Sequence, residues 1–169
     1  MNAALETWKR GGIAADADLA VEAVSAGVVL ISPLTDRFAF RGREEVRGIL
    51  HAAFAVLDGI SYDGQFSDGT EAVLFATARI GDRSLSECQR IRFDEDGLID
   101  EVTLMMRPLP AATAFARALG PVLARQQGRR GTAAILTAAG ALLDGVATSG
   151  DRTFMPMASP ERASKTPRA

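Results

Sequence analysis

The sequence is poor in the residues that most often announce a function. There is one cysteine, Cys88, so an internal disulfide and a cysteine metal cluster are both excluded. The single histidine, His51, removes the usual His-based zinc chemistries. Lysine occurs only at positions 9 and 165, and arginine supplies the rest of the positive charge. The net charge of −2 gives no basic patch for nucleic acid or an anionic membrane. No glycine-rich phosphate loop follows a strand pattern, so no cofactor is expected. The N-terminus has no basic-then-apolar leader, and the apolar stretch from Thr132 to Thr148 is interrupted by Asp144 and reads as too weak to span a bilayer. A cytoplasmic location is therefore expected.

What remains is an ordinary globular composition, 47% apolar and 24% charged over 169 residues, enough for one domain with extensions. Residues 3–10 and 16–25 read as helix, broken at Gly11-Gly12; Leu19, Ala20, Ala23 and Val24 share one apolar face of the second piece. A β-branched run over 27–31 stops at Ser32-Pro33, and Phe38-Ala39-Phe40 is a second extended piece. From Arg43 to Leu57 the period is helical. Glu44 and Glu45 lie in the first turn, and Val46, Ile49, Leu50, Ala53, Phe54 and Leu57 form a stripe. The period then changes to two. Strands are expected over 61–66, 72–80, 84–93 and 98–107, separated by short turns that imply an antiparallel meander. Helices over about 111–127 and 132–146 form a hairpin, and the composition after Ser149 suggests a loose tail. The order of elements is α+β, with helices on one face of a curved sheet.

Four fragments carry a resemblance. They are Ile31-Ser32-Pro33, Phe40-Arg41-Gly42-Arg43 opening a helix, Arg92 through Ile99 with its Asp-Glu-Asp-Gly turn, and Met106-Arg107-Pro108-Leu109. In this order and spacing the chain resembles the SnoaL-like family of the nuclear transport factor 2-like superfamily, over about residues 4–120. The resemblance implies a cone-shaped half-barrel: a curved antiparallel sheet packed on N-terminal helices around an enclosed pocket. On that basis residues 1–110 are expected to form the pocket domain, 111–148 a helical extension and 149–169 the tail. A homodimer is a further expectation. The superfamily includes cyclases, isomerases, dehydratases and epoxide hydrolases as well as proteins of no known activity, so fold alone assigns no reaction.

Strand parity nominates pocket groups. On 84–93 one face carries Arg90 and Arg92, which belong in water, so Leu85, Glu87, Gln89, Ile91 and Phe93 should face inward. Glu87 and Gln89 are then polar groups on an apolar wall, as expected at a ligand site; a solvated Glu87 near the strand end is the plainer alternative. Ala72, Ala76 and Ala78 leave either room for a cavity or close helix-on-sheet packing. The resemblance to ketosteroid isomerases places that family's tyrosine at Trp8, its base aspartate at Ser32 and its second aspartate at Gln89. All three have changed. Serine cannot stand in for a carboxylate base without one of its own, whereas Trp8 and Gln89 could still donate to a carbonyl oxygen.

The sequence therefore points to a binding protein for a mostly apolar small molecule with one carbonyl or hydroxyl, without isomerase-type catalysis. The expected lining is Trp8, Ser32, Phe38, Phe40, Phe54, Tyr62, Glu87 and Gln89. One alternative is a cyclase or dehydratase with Glu87 or His51 as general acid/base; another is a dimeric interaction module with a vestigial pocket. No metal site is expected.

Overall fold

The computed structural model describes residues 2–159. Helix α1 spans Ala3–Ala14 and α2 spans Ala17–Val21. Strand β1 (Val24–Ile31) and the two-residue β2 (Phe40–Arg41) lead into α3 (Gly42–Phe54). Strands β3 (Asp58–Ser67), β4 (Glu71–Ile80), β5 (Arg83–Phe93) and β6 (Ile99–Arg107) follow, then α4 (Leu109–Gln126) and α5 (Arg130–Thr153).

The six strands form one curved, unclosed sheet in the order β2-β1-β6-β5-β4-β3. The meander β3–β6 is antiparallel as expected, while β1 joins it parallel to β6, with Leu30 opposite Val102. Side chains alternate along β4 and β5, and Leu74, Leu85 and Ile91 are fully buried on the concave face beneath the helices. Leu5, Trp8, Val21, Val28, Leu30, Val46 and Val102 complete that core.

Local chemistry sets the helix ends. Asn2 caps α1 by accepting from the Leu5 N–H at 3.1 Å, and its amide donates to the Gly97 carbonyl at 3.0 Å, fastening the helix to the β5–β6 turn. Asp16 caps α2 in the same way through Leu19. At α3 the cap is reversed: Glu45 reaches back to accept from the Arg41 N–H at 2.8 Å. Arg43 then donates twice to the Val24 carbonyl, tying α3 to the irregular start of β1.

Three boundaries depart from the sequence reading. Helix α1 runs straight through Gly11-Gly12, because these glycines serve close approach rather than a break. A methyl at Gly11 would lie 2.6 Å from the Ala20 nitrogen. The second helix stops at Val21 rather than continuing to 25, since Val24 is already paired with Ile99 in the sheet. Helix α5 continues past Ser149 to Thr153 and a 3-10 turn spans Met155–Ala158, so the loose tail expected from 149 is ordered here; its remainder, 160–169, lies outside the described residues. By length and composition the helical stretch Arg130–Ala158 is apolar enough to cross a membrane, which the sequence reading of 132–148 did not expect.

The C-terminal hairpin is attached by a buried carboxylate. Asp144 accepts from Arg83 of β5, from Thr113 at 3.2 Å and from Arg117 of α4 at 3.3 Å. Burial alone would push the Asp144 carboxyl up, but the hydrogen bonds and charges of Arg83, with Thr113 and Arg117, hold it below the ordinary value.

Candidate functional site

Between the concave face of the sheet and α1, α3 and α4 lies a small, mostly apolar cavity of about 70 Å³ that opens partly to solvent. Sheet register builds its floor. Tyr62 of β3, Ala76 of β4, Glu87 of β5 and Met106 of β6 are cross-strand neighbours in one row. Leu74, Gln89 and Leu104 form the next row on the same face. The small Ala76 stands between Tyr62 and Glu87, so two polar groups flank a shallow place in the floor. Leu50, Ala53 and Phe54 of α3 and Phe115 of α4 supply walls.

The polar end is a hydrogen-bonded chain. The Trp8 indole N–H donates to Gln89 Oε1 at 2.8 Å, and the Gln89 amide donates to Glu87 Oε1 at 2.8 Å. Trp8 is 3% exposed and Gln89 6%, so both are shielded from competing water. Glu87 enters the cavity with one carboxyl oxygen engaged by Gln89. Burial pushes its carboxyl up to about 7, and the Gln89 hydrogen bond offsets this only in part. The Tyr62 phenol is held well above its usual value by burial and then by the nearby Glu87 charge. It remains a neutral hydroxyl across the physiological range. Gly12 makes room for it, since a methyl there would lie 2.4 Å from the Tyr62 hydroxyl oxygen.

Of the residues nominated from sequence, Trp8, Phe54, Tyr62, Glu87 and Gln89 come together at this cavity. Ser32, Phe38 and Phe40 do not. Ser32 lies in the loop after β1, where its hydroxyl accepts from the Leu34 N–H at 3.2 Å. Phe38 is 58% exposed and packs edge-on against Phe40, their ring centres 5.6 Å apart. Both line a shallow outer groove with Ile49 and Leu123. The short β2 turns this segment toward the sheet edge, away from the cavity. His51 sits on the outer side of α3, half exposed, 3.9 Å from Asp18. It cannot reach the cavity, which leaves Glu87 as the acid/base candidate. The expected pair of donors is also rearranged, because the Trp8 N–H is spent on Gln89 rather than offered to a ligand.

Sequence reasoning missed Gly12 and Phe115 as lining, and left Leu104 and Met106, which strand parity turns inward, out of the expected set. Met106 was legible from its strand parity. Phe115 was hidden in a helix treated as an extension, and Gly12 in what resembled a helix break. Among the described residues no cluster of three His, Cys, Asp or Glu could hold a metal ion, and no Lys, Arg or His lines the cavity.

The chain matches no protein-family model and no curated protein. Solved structures match it well. A steroid delta-isomerase from Pseudomonas aeruginosa is 29% identical, with a TM-score of 0.68 over 75% of this chain and 93% of that one. An uncharacterized protein with a cystatin-like fold from Silicibacter pomeroyi is 20% identical, with a TM-score of 0.71 over 78% and 95%. SalBIII, an epoxide hydrolase/cyclase-like enzyme of pyran ring formation in salinomycin, is 14% identical, with a TM-score of 0.53 over 62% and 88%. The chain has the fold of the nuclear transport factor 2-like superfamily. Its curved sheet and α+β order are those of the superfamily's cone fold. Fold neighbours of this kind include isomerases and cyclases.

Proposed function

We propose that this chain binds a compact, mostly apolar, uncharged molecule whose one carbonyl or hydroxyl is recognised by Glu87. The observation that carries the reading is the Trp8–Gln89–Glu87 chain ending inside an apolar cavity. A buried polar group on an apolar wall is costly unless it has a partner, and here the partners hold Glu87 in one orientation. No cation lines the cavity to balance a carboxylate or phosphate, so an anionic ligand would be repelled once Glu87 ionises.

A second reading is favoured by one feature. With its carboxyl pushed up to about 7, Glu87 can both accept and return a proton near neutral pH, as a general acid/base must. The likeness to a steroid delta-isomerase supports an isomerisation by proton transfer, but the isomerase-type base position is occupied by Ser32, outside the cavity. In this reading the proton carrier is Glu87, with Gln89 and Trp8 positioning it.

Native mass spectrometry of the purified chain, followed by a thermal-shift series of neutral lipophilic ketones and alcohols, tests the binding reading. A stoichiometric ligand, or stabilisation that Ala76→Leu abolishes while the circular dichroism stays unchanged, is the expected result. A chain that carries nothing and is stabilised by no neutral compound would refute it. If a ligand is consumed, the second reading expects Glu87→Gln to keep binding it without turnover.

A further inference from the structure

The outer face of α5 has no partner among the described residues. Gly140 marks the inner side, since a methyl there would lie 2.8 Å from Arg117 Cα of α4, and Ala133 and Asp144 are buried on that same side. Ile135, Ala139, Leu142 and Val146 fall on the opposite side at helical spacing. Leu142 is 72% exposed and Val146 64%, and Leu136, Leu143 and Phe154 widen the stripe. Together these side chains expose on the order of 650 Å² of apolar surface, at the top of what a monomer leaves open. It is also close to the roughly 800 Å² that each partner contributes to a standard interface.

The pattern of the stripe narrows the occupant. Read in either direction, Ile135, Ala139, Leu142 and Val146 are spaced four, three and four residues apart. Such a stripe can meet a second copy of itself about a two-fold axis, each residue i facing j while j faces i. Ala139 leaves a hollow among Ile135, Leu142 and Val146, into which a large side chain of a facing helix can pack. The charged residues of α5, namely Arg130, Asp144, Asp151 and Arg152, all fall off this stripe. A membrane-spanning role would strip Asp144 from Arg83 and Arg117 and carry its carboxylate into hydrocarbon.

We infer that the outer face of α5 docks a second copy of this chain, the two helices antiparallel about an axis passing between Gly140 and Ala141. Ile135 then lies against Val146 of the partner subunit, and Ala139 receives Leu142 of the partner subunit. The contact is independent of whether the cavity binds a ligand.

Sedimentation velocity of the full chain, compared with Leu142→Glu/Val146→Glu, is the direct test. Both positions are exposed, so the substitutions leave the subunit's own packing intact. The expected result is a particle mass halved in the variant. In a Cys88→Ser background, mixing the Ala139→Cys variant with the Leu142→Cys variant should give a disulfide-linked heterodimer under mild oxidation. Equal masses for parent and variant would overturn the inference, whether both are monomers or both associate through another surface. Flotation of the parent with phosphatidylserine vesicles, lost in the glutamate variant, would overturn it in favour of lipid.

Discussion

The side-chain amide of Gln89 donates to Glu87 across 2.8 Å on one face of one strand, while its oxygen accepts from the Trp8 indole at the same distance. This fixes which way the amide points, because Trp8 can only donate. It therefore fixes that the Glu87 carboxyl receives an N–H. The cavity's one carboxylate is thus oriented from a helix that begins the fold, through a residue that bears no charge.

The first prediction concerns pH. Glu87 is pushed from an ordinary value of 4.5 to about 7, so between those limits the folded chain holds a proton that the unfolded chain releases. Stability should fall as pH rises through this window, by about 3 kcal/mol at most. Denaturant midpoints of Glu87→Gln should lack that decline and exceed those of the parent at pH 8.

A second prediction separates orientation from burial. Gln89→Leu removes the amide that stabilises ionised Glu87, so the Glu87 carboxyl should titrate above the parent value in carbon-detected magnetic resonance. The variant also strands the Trp8 N–H and should cost about 2 kcal/mol. An unmoved titration would show that the Gln89 contact carries no weight.

Two neighbouring glycines give a third. Gly11→Ala drives a methyl against Ala20 backbone atoms at 2.6–2.7 Å, where nothing can yield cheaply. Gly12→Ala meets the tip of Tyr62 at 2.4 Å, and that side chain can swing aside. Both gain helix propensity of about 1 kcal/mol. Gly11→Ala should nonetheless destabilise by about 2 kcal/mol, whereas Gly12→Ala should stay within about 1 kcal/mol while displacing Tyr62 from the cavity floor. Urea unfolding of both variants decides it.

The clasp at Asp144 yields the fourth. Its carboxyl is held below the ordinary 3.8, so its contribution is present above that value and is lost as pH falls through the folded value. Asp144→Ala should release α5 before the rest of the fold, at a cost of about 2 kcal/mol given that Arg83 and Arg117 are partly solvated. Hydrogen exchange should show faster exchange across α4 and α5 and little change in β4 and β5.

Much of this arrangement was legible in the residues. Arg90 and Arg92 declared the outer face of β5, and that parity alone turned Glu87 and Gln89 inward. The four strands of the meander also stand close to where the period of two placed them. What failed depended on contacts distant in sequence. Gly11-Gly12 reads locally as a break, and only the approach of Ala20 and Tyr62 explains it. Ala23 and Val24 extend a helical apolar face, yet Val24 pairs with Ile99, and sheet pairing outweighs the local preference. Ser32, Phe38 and Phe40 were nominated through likeness to relatives or by aromatic character, and neither consideration fixes the path of a loop.

The parallel pairing of β1 with β6 has a kinetic consequence. The meander β3–β6 can assemble from neighbours and β1 can pair early with β2, but its second edge waits for β6, which begins 68 residues after Ile31. Until then Val28 and Leu30, fully sheltered in the finished sheet, stay open to misassociation. Closing so long a loop is slow. The N-terminal third of the chain, Trp8 included, is therefore synthesised well before the central strand that shelters it.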